Sequence, residues 1–198
     1  LLWGDSHAEH WGPAIRAAAE KLGVRAGILT FAGCPPLPGF AQASGCSQWN
    51  DQLFGELPTW AHTRHLKGMV LSARWPRILG LASPALTEQT TATDGELAIA
   101  QTAAIQGAVA RFEQSLDGVL ARAGQLGLRV LIILPSPIQR IAGPHCLAVR
   151  APEECFVSRS QMAAYAGPVE AVIRKVAARH ANVRLLDPKD FLCRDGRC

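Results

Sequence analysis

Gly4-Asp5-Ser6-His7-Ala8 sets an acid, a hydroxyl and an imidazole side by side, after an apolar pair and before a helix-forming stretch. Gly4 permits the tight turn by which a chain leaves a strand for a helix. Ser6 then falls at the helix start, where free backbone N–H groups and the positive dipole end favour a developing oxyanion. A serine so placed is a nucleophile when a base reaches it. Asp5 and Ser6 equally meet the simpler need to N-cap a helix. His10, four residues past Ser6, would share its helix face and is the base that local spacing offers. A capping serine turns back toward the helix amides, which works against a Ser6–His10 dyad. The remaining histidines read differently: His7 lines the pocket or bonds locally, His62 and His65 sit in a solvated helical turn, His145 in a loop, and His180 at a helix end whose dipole favours a cation.

Strands and helices alternate around this segment. A buried strand ends at Gly4, and a helix over Ala8–Leu22 tolerates Pro13 in its first turns and closes at Gly23. Val24–Phe31 is predicted as a second strand, followed by a Pro/Gly/Cys-rich loop over Gly33–Ser47 and a short helix over Asn50–Leu57. Gly68–Trp75 is the third strand, and Pro76–Gly95 a long loop or flap. The longest helix is predicted over Glu96–Gln125, with Leu97, Ile105, Val109, Phe112, Leu116 and Leu120 on one face. Leu128–Leu134 is the fourth strand. A second cysteine loop spans Ile141–Ser158, a helix over Gln161–His180 is interrupted near Gly167-Pro168, and Val183–Leu186 is the fifth strand. Five short apolar strands separated by helices imply a parallel sheet covered on both faces, with ligand sites at the carboxyl ends of the strands.

The chain has 198 residues, 48% hydrophobic and 18% charged, in the range of one globular domain. A formal net charge of +4 is too mild and too dispersed to argue for nucleic acid. The longest apolar strand segment, Val130–Leu134, falls far short of a membrane span. Opening at Leu1 rather than Met, the chain is expected to be an excised or processed piece. Its six cysteines fall into local couples, Cys34 with Cys46, Cys146 with Cys155 and Cys193 with Cys198. That pattern predicts three loop-stapling disulfides and hence an oxidising compartment, a periplasm or the cell exterior. A zinc site or free thiols is the other reading, against which stands the absence of any Cys-x-x-Cys.

Gly-Asp-Ser-His-Ala after a first strand resembles block I of the SGNH (GDSL-like) hydrolase superfamily. It is most similar to the periplasmic SGNH domain attached to membrane acyltransferase-3 proteins, which O-acetylate surface polysaccharides. Further pieces of the resemblance are Gly33-Cys34-Pro35-Pro36-Leu37, Val70-Leu71-Ser72-Ala73-Arg74-Trp75, Asp187-Pro188, and Leu192-Cys193 through Cys198. The resemblance implies an α/β fold, a flavodoxin-like three-layer α/β/α sandwich with a five-stranded parallel sheet, and neither metal nor organic cofactor. It implies Ser6 as the nucleophile, with the backbone N–H groups of Ser6 and Gly33 in the oxyanion hole. The implied partners are a polysaccharide acceptor and an acetyl donor delivered by a membrane acyltransferase domain upstream in the same protein. The implied location is the periplasm, tethered to the inner membrane.

Two departures stand out. Where the superfamily has an Asn oxyanion donor, this chain has Ser72-Ala73-Arg74-Trp75. Arg74 offers guanidinium donors to an oxyanion or an acceptor hydroxyl, or anchors a carboxylate; Trp75 touches substrate or packs in the core. Asp5 and His7 are further candidate contacts. The superfamily's Asp-x-x-His is also missing, since none of Asp187, Asp190 and Asp195 has a His three residues on. Residues 1–198 are therefore expected to be one SGNH-like domain lacking its C-terminal Asp-x-x-His block, and inactive alone. Two rival readings remain, a secreted carbohydrate or lipid esterase of the same fold and a non-catalytic glycan-binding module. Any of Trp3, Trp11, Trp49, Trp60 and Trp75 is a candidate sugar platform.

Overall fold

The computed structural model describes residues 1–40, 44–81, 103–138 and 143–198. Five parallel strands, β1 (Leu2–Gly4), β2 (Ile28–Thr30), β3 (Gly68–Ser72), β4 (Arg129–Ile133) and β5 (Val183–Leu186), form one sheet in the order β2-β1-β3-β4-β5. The helices are α1 (Ser6–Glu9), α2 (Gly12–Lys21), α3 (Cys46–Thr63), α4 (Ala103–Gln125), α5 (Gly143–Val149), α6 (Arg159–Ala177) and α7 (Lys189–Leu192), with 3-10 turns at Trp75–Leu79 and Pro152–Cys155. The architecture is the three-layer α/β/α sandwich expected of a parallel sheet with helical crossovers.

Alternation along the strands divides the sheet into two faces. Trp3, Met69, Leu71, Val130, Ile132 and Val183 share one buried cluster with Leu53 and Leu57 of α3, Phe112, Leu116 and Leu120 of α4, and the inner stripe of α6. Leu2 and Ile133 point the other way, toward the side of α1 and α2.

Several boundaries differ from the sequence pattern. The helix expected over Ala8–Leu22 is two helices, α1 and α2. Pro13 stands in the first turn of α2, and its ring would collide with the carbonyl four residues back, that of Glu9, where α1 stops. β2 begins at Ile28 rather than Val24 because Val24 ends α2, donating its N–H to the Ala19 carbonyl while Gly23 adopts φ +64°. α3 runs through Pro58 to Thr63, and α6 is unbroken through Pro168. A mid-helix proline costs about 3 kcal/mol. In α6 the buried residues Met162, Tyr165, Ala166, Val169, Val172, Ile173 and Val176 lie on both sides of it, so packing holds the two halves in one line. The Ser158–Gln161 capping box sets the start of α6 two residues earlier than expected.

β3 ends at Ser72, with Trp75 in the 3-10 turn that follows. The second cysteine loop contains α5 and the Pro152–Cys155 turn. Residues 82–95 of the expected flap, 96–102 of the expected long helix, and 141–142 lie outside the described residues.

All three disulfides are present, Cys34–Cys46, Cys146–Cys155 and Cys193–Cys198, at sequence separations of 12, 9 and 5. Such short closures act mainly on the loops they staple. No helix among the described residues is long and apolar enough to cross a membrane.

Candidate active site

In a sheet of order β2-β1-β3-β4-β5, the connections reverse direction between β1 and β3, and the carboxyl ends of such a pair are where open parallel sheets place a ligand crevice. Gly4 and Ser72 are partners there. A Cβ on Gly4 would stand 1.8 Å from the Ser72 carbonyl oxygen and 2.7 Å from Ala8 Cβ. Only a glycine lets the two strand ends and the first turn of α1 meet so closely.

Beyond Gly4, one carboxylate organises the crevice. Asp5, with extended backbone, N-caps α1: its Oδ1 accepts the His7 N–H at 2.8 Å. Oδ2 accepts the Arg74 backbone N–H at 2.8 Å, bridging from the end of β1 to the end of β3. Asp5 is 4% exposed, so both bonds are shielded and charge-assisted. The candidate substrate contact is thus a buried brace.

Because Asp5 takes the capping role, Ser6 is the first residue of α1 and its hydroxyl is not the cap. Ser6 is half-buried at the carboxyl end of β1. His10 is exposed, and among the described residues no hydrogen bond joins it or His7 to Ser6. The His7 and His10 rings lie 6.0 Å apart. Burial pushes the His7 imidazole below its ordinary value; Asp5 opposes this, while Arg74 and His10 add to it. His7 is held toward its neutral form.

Arg74 and Ser6 each lie two residues past a member of the Gly4–Ser72 pair. Its Nε is buried without a hydrogen-bond partner among the described residues, as is the hydroxyl of Tyr165 on α6. Burial pushes the Tyr165 phenol up, and the nearby Arg74 guanidinium offsets part of that rise. Neither atom has a partner within hydrogen-bonding geometry among the described residues, and an unsatisfied buried donor costs about 1–3 kcal/mol.

Trp75 offers no face to a substrate. It is fully buried against Phe112, and its indole N–H donates to the Ile133 carbonyl at 2.7 Å. The packed reading is the one that holds, because the chain enters a 3-10 turn after Arg74 and folds the indole inward. Trp3 is likewise buried, donating to Asn50 Oδ1 at 3.1 Å. Trp11 and Trp49 are half-buried at the carboxyl edge, against Phe191 and Phe31 respectively.

Gly33 follows β2 on the same edge, with φ +72°. The loop it opens is held from beneath by Asn50, whose Nδ2 donates to the carbonyls of Pro35 at 2.8 Å and Leu37 at 3.0 Å, and by the Cys34–Cys46 bond. Asp187, just after β5, is engaged by Arg174 and by both the backbone N–H and the ammonium of Lys189, each at 3.0 Å. It therefore braces α6 and α7. No set of three or more His, Cys, Asp or Glu side chains converges as a metal site among the described residues.

Sequence reasoning passed over Asn50 and Tyr165. Asn50 carried a usable signal, since it shares the buried spacing Cys46, Asn50, Leu53, Leu57. Tyr165 carried none; its neighbour in space is 91 residues away, a distance only the fold closes.

A flavodoxin-like parallel sandwich with a free serine at the β1/β3 switch point defines an SGNH-type domain. The SGNH domain (fused to AT3 domains) family matches residues 1–198, and the chain belongs to it. Comparisons with curated proteins and with solved structures find no match. Membership associates this domain with membrane acyltransferases, and the three disulfides agree with an extracytoplasmic setting.

Proposed function

We propose that this domain carries an acetyl group on Ser6 and transfers it to a hydroxyl of a cell-surface polysaccharide in the periplasm. The observation that carries the reading is Ser6 itself: released from capping by Asp5, it opens α1 directly after β1, while the same carboxylate ties the Arg74 backbone to that turn.

A histidine base takes the Ser6 Oγ proton as Oγ bonds to the acetyl carbonyl carbon, and the carbonyl electron pair moves onto oxygen. Collapse of that intermediate expels the donor's leaving group, which receives the proton from the histidine. A sugar hydroxyl repeats the attack on acetyl-Ser6, its proton passing through the same histidine to Ser6 Oγ. The oxyanion of each step is met by the backbone N–H groups of Ser6 and Gly33 and by Arg74. The reading takes its base from an Asp-x-x-His pair, a spacing found nowhere in residues 1–198. An associated membrane acyltransferase domain supplies the acetyl group. Trp11 and Trp49 offer the half-buried aromatic faces at this edge against which a pyranose ring can stack.

The test uses the full-length protein with its native glycan. Quenched turnover is expected to trap an acetyl ester on Ser6, and Ser6→Ala to reduce glycan acetylation by roughly 10^3-fold or more. Acetylation undiminished in Ser6→Ala overturns the proposal. Release of acetate with no glycan product makes the domain an esterase instead.

A further inference from the structure

Arg74 Nε and Tyr165 Oη are the buried side-chain nitrogen and oxygen left without hydrogen-bond partners among the described residues, and they are neighbours. Buried polar atoms in folded proteins are nearly always paired, so two orphans together at the edge of a crevice call for an explanation. The backbone N–H of Arg74 is held by Asp5 Oδ2, and its guanidinium charge acts on both His7 and the phenol of Tyr165. Tyr165 is 3% exposed and belongs to the buried stripe of α6, which is anchored in the main core and contacts the Trp75–Leu79 turn directly. The hydroxyl is thus mounted on a rigid element, whereas the arginine stem is flexible.

We propose that Tyr165 is the positioning residue for Arg74: its hydroxyl oxygen backs the guanidinium from the α6 side, so that the remaining N–H donors face the acyl oxyanion above Ser6. The inference rests on the acyl-Ser6 reading and deepens it by naming what holds the donor that stands where the superfamily has an Asn. A phenylalanine would fill the same space and supply no acceptor to the guanidinium, leaving it free to leave the crevice.

The experiment measures aryl-acetate turnover by the full-length protein. Tyr165→Phe is expected to lower kcat about tenfold with KM within about twofold, and Arg74→Ala to lower kcat about 10^2-fold, as for loss of one oxyanion donor. Tyr165→Phe added to Arg74→Ala is expected to cost nothing more, because the tyrosine acts through the arginine. Free guanidinium at sub-denaturing concentration restores part of the Arg74→Ala loss while Tyr165 is present, and fails to do so in the Tyr165→Phe background. Additive losses, or an unchanged kcat in Tyr165→Phe, overturn the proposal. Hydrogen exchange at the Arg74 guanidinium is a readout independent of turnover and is expected to quicken in Tyr165→Phe. Unaltered exchange overturns the seating of Arg74 even where Ser6→Ala behaves as proposed; full turnover in Ser6→Ala with quickened exchange removes the acyl-serine reading and leaves the seat standing.

Discussion

Two polar clusters in this domain use similar residue types to opposite ends. Along the outer seam between α4 and α6, Glu113 takes hydrogen bonds from Lys175 at 2.9 Å and from Arg179, and Asp117 meets His180 at 3.0 Å. Every group there has a partner and faces water. The hydrogen bond from Lys175, then that from Arg179, holds the Glu113 carboxyl below its usual range, and His180 does the same for Asp117. In the crevice between β1 and β3, Asp5 is fully engaged, but Arg74 and Tyr165 are buried and incomplete, and His7 is pushed toward neutrality by burial. The seam is finished without a ligand and can only contribute stability. The crevice carries unmet bonding capacity at a cost to stability, which is where folded proteins tend to keep their chemistry.

The sharpest way to break this contrast is at Gly4. Gly4→Ala places a methyl 1.8 Å from a backbone oxygen that cannot swing aside. The expected result is destabilisation at or beyond the top of the ~1–3 kcal/mol overpacking range, together with loss of any Ser6 chemistry, checked by denaturant melts and by phosphonate labelling at Ser6. Wild-type stability would mean the strand ends are less tightly joined than the Gly4–Ser72 contact states.

The clusters also separate on the pH axis. The folded crevice resists protonating His7, whereas the unfolded chain takes that proton near the ordinary value of 6.5. Stability is therefore full above that value and declines as pH falls through it. His7→Gln is expected to flatten the decline between about pH 7 and 5.5, read from thermal melts across pH. The seam carboxylates have depressed values, so their contribution is intact above the ordinary 4.5 of Glu113 and fades only as pH falls below it. A decline that His7→Gln leaves unchanged would assign the upper window to another group.

The smallest effect is expected at the seam itself. Glu113→Gln at pH 7 should move Tm by no more than about 2 °C, because solvent screens the pair it breaks and both cations stay hydrated. A larger fall would show that the seam acts as a network rather than as separate surface pairs.

How much of this was legible beforehand varied with the range of the interaction. The three disulfides, the number and order along the chain of the five strands, and the role of Gly23 at the end of α2 were local matters of composition, couples and turn chemistry, and each is present, though β2 starts later and β3 ends earlier than the sequence placed them. α6 runs unbroken through Pro168 because the local cost of the proline is outweighed by burial on both sides of it, and α3 likewise extends past its expected end, through Pro58 to Thr63. The burial of Trp75 was equally beyond local reasoning. An indole beside a candidate donor looks available until the turn that follows Arg74 carries it into the core.

Side-chain type, spacing and turn preference act over a few residues, and so the chain by itself determined that a serine stands at the end of a first strand, that the domain is a stapled parallel α/β sandwich, and which family it resembles. Only the tertiary structure decided that Asp5 and not Ser6 caps α1, that Asp5 ties β1 to β3, and that Arg74 lies against Tyr165. Those contacts join segments 69 and 91 residues apart, and such pairings are set by sheet order and helix packing rather than by any neighbouring residue.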